Sequence, residues 1–182
     1  MENIILFCKE IADMDVIGKA VEFLIPFVIL IITLHDERKQ NAKYKRQEIK
    51  LEYLKECMDW LKELMFLAYI VSDKASNYIC SCNAERIEEI RKEFNTEANT
   101  MMEKCLIGVT TYSSINKALC IEFNLEEIRI LTGKFIREMR EICENGVADQ
   151  EEFQINNSTQ IFQKKIKEKI LWIGEKISAL LI

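Results

Sequence analysis

The chain has 182 residues and a formal net charge of −5, with 49% hydrophobic and 30% charged residues, one proline and five glycines. That length holds one domain with a sizeable core, and so few turn residues beside abundant Leu, Ile, Glu, Lys and Met argue against a sheet and for an all-α fold of long helices. The acidic balance argues against phosphate binding by the surface as a whole, and seven cysteines in odd number without regular spacing read as reduced thiols in core positions.

In chain order, Ile4, Phe7, Cys8 and Ile11 share a helical face, either as a short interfacial helix or as the beginning of the longer apolar run after them. From Val16 to Leu34 only Lys19 and Glu22 are charged. As a helix this run reaches about 28 Å, close to a hydrocarbon core of about 30 Å, and predicts a membrane span within an N-terminal segment 1–35. The alternative is a buried core helix, because the fully uncharged part, Phe23 to Leu34, is short. The acidic start "MENIILFCKE" and the lack of a small-residue site after Leu34 argue against a cleaved signal. Lys9 is the only basic residue before Val16, whereas Arg38, Lys39, Lys43, Lys45, Arg46 and Lys50 come soon after the run. This asymmetry predicts a single-pass protein of the cell inner membrane with a cytoplasmic C-terminal part. The same cluster suits anionic lipid headgroups.

At about 100° per residue, Asp15, Lys19, Glu22, Pro26, Ile29 and Thr33 fall on one face. Lipid cannot satisfy a polar stripe, so the expected partners are a bilayer on one side and further copies of the chain, or another protein, on the other. Lys19 and Glu22 either pair and line a pore entrance or snorkel outward.

A charged neck, 36–50, leads to an expected helical bundle over 51–182 with about four long helices. Its first helix carries two adjacent seams: Leu51, Leu54, Met58, Leu61, Met65 and Ala68, and Tyr53, Cys57, Trp60, Leu64, Leu67 and Val71. Ile87, Ile90, Phe94, Ala98, Met101 and Cys105 predict a second, with a loop near Gly108 to Ser114. Asn124 is placed to cap a third, whose stripe is Ile128, Leu131, Phe135, Met139 and Ile142, ending at Gly146. The polar segment from Val147 to Asn157 reads as a loop. Ser158 or Thr159 would then cap a last helix carrying Phe162, Ile166, Ile170, Ile173, Ile177 and Leu180. Asn156 and Asn157 each begin a glycosylation sequon, which is irrelevant on a cytoplasmic segment.

No catalytic constellation emerges, and the chain is not expected to be an enzyme. His35, the single histidine, sits at the membrane boundary without an obvious nucleophile. Cys80, Cys82, Cys105 and Cys120 lack zinc-knuckle spacing and histidine partners, so neither a metal nor a cofactor is expected. Lys134, Arg137 and Arg140, with Lys164, Lys165, Lys167 and Lys169 on the next helix, form a candidate surface for an anionic ligand. Phe162 or Trp172 would offer a stacking plane, and the competing reading is a solvated lysine face.

An N-terminal span with a larger cytoplasmic helical domain resembles, in layout, the small membrane-inserting effectors of bacterial antiviral defence, including the channel-forming effector of the Hailong system. The resemblance implies a homo-oligomeric channel gated through its helical domain by a regulatory protein or an oligonucleotide ligand from a partner enzyme. The residues also allow a membrane-anchored adaptor without conductance, or a helical interaction protein whose first forty residues are buried in an oligomer.

Overall fold

The computed structural model describes residues 14–81, 84–145 and 150–181, with side chains described from residue 29 except at 84, 85 and 145. Those residues form four helices and no strand: α1 Met14–Cys80, α2 Ala84–Leu119, α3 Leu125–Asn145 and α4 Glu151–Leu181. The chain divides into two compact units, Met1–Glu48 and Ile49–Ile182. The apolar run, the charged neck and the first bundle helix, expected as successive segments, are all parts of α1.

The second unit is a helical bundle whose core is set by the apolar stripes. On α1 the whole seam from Tyr53 through Cys57, Trp60, Leu64 and Leu67 to Val71 is buried, while the adjacent seam alternates buried Leu54, Leu61 and Ala68 with half-buried Leu51, Met58 and Met65. A helix buried over so wide an arc needs neighbours on more than one side. Phe94, Ala98, Met101 and Cys105 of α2 and Ile128, Phe135 and Met139 of α3 enter the same core. Phe135 meets Phe162 of α4 with ring centroids 4.8 Å apart. Among the described residues three ion pairs tie helices at the surface: Lys74 to Glu93 at 2.6 Å, Lys104 to Glu63 at 3.0 Å, and Lys169 to Glu127 at 2.7 Å. Exposed pairs of this kind contribute at most about 1 kcal/mol each, so the apolar core carries the stability.

Two expected loops are helix instead. Gly108 to Ser114 lies inside α2. Gly108 marks a close approach, since its missing side chain makes room for the Trp60 indole, whose Nε1 donates to the Lys104 carbonyl at 3.1 Å. The segment expected as a loop to Asn157 is helical from Glu151. Its polar Gln154, Asn156 and Asn157 form the exposed face of α4, while Ile155 and Thr159 extend the buried stripe. Ser158 and Thr159 are therefore interior helix residues and not caps. Acidic Glu151 and Glu152 occupy the first turn, where the helix dipole favours them. Gly146, the expected end of α3, lies outside the described residues.

The turn joining α2 to α3 is closed by a Schellman motif. The amide of Cys120 donates to the Lys117 carbonyl at 3.3 Å and that of Ile121 to the Asn116 carbonyl at 3.0 Å. Cys120 takes the left-handed position with φ of 54°, where glycine is usual. As expected, Asn124 caps α3, its Oδ1 accepting from the Glu127 amide at 3.2 Å.

Candidate functional site

The stripe expected to line a pore begins with Asp15, Lys19, Glu22 and Pro26. These belong to α1, but their side chains lie outside the described residues. Thr33 is exposed, and its hydroxyl donates to the Ile29 carbonyl at 2.8 Å, so its single proton is engaged within the helix. Around it Ile29, Leu30, Ile31, Ile32 and Leu34 are between 46% and 66% exposed. Successive residues at 100° steps place this apolar surface on every side of the helix. Among the described residues no helix is long and apolar enough to cross a membrane. Most of the run from Val16 to Leu34 falls where side chains are not described. His35, Arg38, Lys39, Lys43, Lys45 and Arg46 continue α1 as exposed side chains.

The expected basic patch on α3 and α4 is only partly available to a ligand. Lys134 lies 3.5 Å from Glu138, and Arg140 donates to Asn99 Oδ1 at 3.0 Å, whereas Arg137, Lys164, Lys165 and Lys167 are exposed. Of the two expected stacking planes, Phe162 is closed and Trp172 is half-buried. Phe162 is buried against Phe135, and Trp172 stacks on Phe123 with centroids 5.5 Å apart and 23° between planes. The Lys176 ammonium lies 5.2 Å from the Trp172 ring centroid as a cation–π partner.

A different set of residues converges at the α2–α3 turn. Asn116 is its centre: the backbone carbonyl closes the Schellman motif, Nδ2 donates to the Phe123 carbonyl at 2.8 Å, and Oδ1 accepts from the Tyr53 hydroxyl of α1. Burial, with the neighbouring Cys57 thiol, holds the Tyr53 hydroxyl well above its usual pKa. It therefore donates as a neutral phenol at physiological pH. Tyr112 packs edge-on to Tyr53 at 5.6 Å and tilted against Trp60 at 5.5 Å.

Two cavities adjoin this braced turn. One, of about 670 Å³, lies over Val109, Asn116, Lys117, Phe123 and Glu126. The other, of about 380 Å³, is bordered by Lys50 and Leu54 of α1, Cys120 and Glu122 of the turn, and Trp172 and Lys176 of α4. Of these residues the sequence pattern assigned only Trp172 to a ligand surface, and there with the lysines of α4, not with this cavity. The lining residues lie far apart in the chain, and only the closed turn assembles them.

The thiols divide by environment. Cys57, Cys105 and Cys143 sit where burial raises the thiol pKa, to about 11 for Cys57 and Cys143, while Cys120 is exposed. Cys82 lies outside the described residues. Among the described residues no three His, Cys, Asp or Glu side chains are grouped to hold a metal ion. No family model, curated protein or solved structure matches this chain.

Proposed function

We propose that the chain is a membrane-anchored, self-associating helical protein that forms a channel gated through its helical bundle, with the bundle on the cytoplasmic side of the inner membrane. The observation that carries this reading is the exposed apolar surface all round α1 from Ile29 to Leu34. A helix that is apolar on all sides needs a surrounding nonpolar phase, which a bilayer supplies over the whole run from Val16. The exposed basic side chains from Arg38 to Arg46 then lie at the headgroup level. Lys19, Glu22 and Thr33 would line or stabilise the path between subunits, and Pro26 would permit a kink. A role in antiviral defence rests on the layout resemblance alone.

The test is alkaline extraction of membranes carrying the full chain or a chain beginning at Asp36. Resistance of the full chain alone supports the anchor, and extraction of both removes the membrane reading. Single-channel recording of the purified full chain comes next, with Glu22→Gln expected to change conductance or ion preference. An anchored protein that passes no current would be an adaptor. Exposed Phe66 and Tyr69, three apart on α1 of the bundle, favour that second reading, since together they make an apolar surface suited to a protein partner.

A further inference from the structure

We infer that the cavity of about 380 Å³ bordered by α1, the α2–α3 turn and α4 is a binding site for a small amphiphilic monoanion. Lys50 and Lys176 answer the charge, and Leu54, Ile121, Trp172 and Leu180 receive the apolar part. Two ammonium groups against the single carboxylate of Glu122 leave one positive charge among the lining side chains, which one negative charge neutralises. A polyphosphate would meet Glu122 in repulsion. The volume falls within the range of about 300–1,000 Å³ usual for small-molecule sites, and the wall combines polar and apolar surface in comparable measure, which suits an amphiphile.

The wall is built before a ligand arrives. The turn is locked by the Schellman bonds and by the two side-chain bonds of Asn116, so Cys120, Ile121 and Glu122 hold their places without a ligand. Trp172 is fixed by its stack on Phe123. The movable part is Lys176, exposed and held against the indole by its cation–π contact. An incoming anion can take its ammonium while an aromatic or alkyl group takes the vacated ring surface.

Cys120 is exposed on the rim and reports on occupancy. The full chain, in phosphatidylcholine nanodiscs or in buffer if it proves extractable, is treated with a maleimide, and the rate at Cys120 is followed by peptide mass spectrometry. The readout is local to the turn and does not depend on membrane insertion. The expected result is at least a threefold slowing at Cys120 by millimolar 2-naphthoate and none by neutral 2-naphthamide. Lys50→Gln with Lys176→Gln should weaken the protection about tenfold, a charge-assisted contact being lost on both sides, while Glu122→Gln should strengthen it. Equal protection by the amide, or full protection of the double variant, overturns the site. Replacing part of the lipid with phosphatidylglycerol separates the sources: protection by that lipid alone identifies a bilayer headgroup, and protection by free naphthoate identifies a soluble anion. Protection by neither rejects the inference.

Discussion

The indole of Trp60 stands where a side chain at residue 108 would stand. A Cβ on Gly108 would come within 2.6 Å of Cζ2 and closer still to Cε2 and Nε1, while Nε1 bonds the Lys104 carbonyl one turn earlier. Glycine in a helix interior ordinarily loses about 1 kcal/mol relative to alanine, so its presence here reflects the packing of α1 on α2.

Gly108→Ala should therefore destabilise the chain by roughly 1–3 kcal/mol despite the better helix propensity, as overpacked cores do. In a Trp60→Leu background the same change should be neutral or stabilising, because the clash is gone and the propensity remains. Urea unfolding of the four proteins as a double-mutant cycle measures the coupling. Equal effects in both backgrounds would reject the contact as the reason for the glycine.

That contact also explains where the sequence misleads. Gly108 with Thr110, Thr111, Ser113 and Ser114 has the composition of a loop, and only a tryptophan forty-eight positions earlier turns it into helix. The stripes on α1 and α3 and the Asn124 cap were legible because each depends on residues within a turn or two of one another. The start of α4 was not, since the polar Gln154, Asn156 and Asn157 hide a buried row whose Thr159 is matched by Ser72 of α1. The cavity beside the turn was illegible for the same reason: Lys50, Glu122 and Lys176 share no local pattern.

Cys120 holds a left-handed backbone that a side chain disfavours by about 1 kcal/mol or more. Cys120→Gly should raise stability by about 1 kcal/mol, and Cys120→Val should lower it by at least as much, because β-branching adds crowding at the same φ. Thermal unfolding at matched concentration checks the order Gly above Cys above Val. If valine equals cysteine, the strain is not at this residue.

Two buried threonines should answer the same substitution with opposite signs. Thr132 Oγ1 makes no hydrogen bond of sound geometry and has the weakly polar Cys105 thiol beside it, whereas Thr159 donates to the Ile155 carbonyl at 2.7 Å and bonds the Ser72 hydroxyl. Exchanging a buried, unsatisfied hydroxyl for a methyl should stabilise by about 1 kcal/mol, so Thr132→Val should raise the urea midpoint. Thr159→Val should lower it by about 1–2 kcal/mol, since Ser72 is left facing a methyl group. Two shifts of the same sign would contradict the difference in bonding.

Stability should decline on the alkaline side. Burial raises the Cys57 and Cys143 thiols from 9.0 to about 11, so between those values the unfolded chain releases protons that the folded chain retains. A group whose folded pKa is raised contributes stability that is present in full below the unfolded value and is lost as pH rises through the folded one. Tyr53, Tyr112 and Cys105 are shifted in the same direction, chiefly by burial, and Lys74 by its bond to Glu93. All of them act with the same sign. The urea midpoint, measured under reducing conditions from pH 8 to pH 11, should be flat at first and then fall. Cys143→Ala should make the fall shallower whatever it does to the midpoint at pH 8, because alanine has no proton to release. A flat midpoint through pH 11, or an unchanged slope in the variant, would mean that Cys143 ionises equally readily in the folded and unfolded chains.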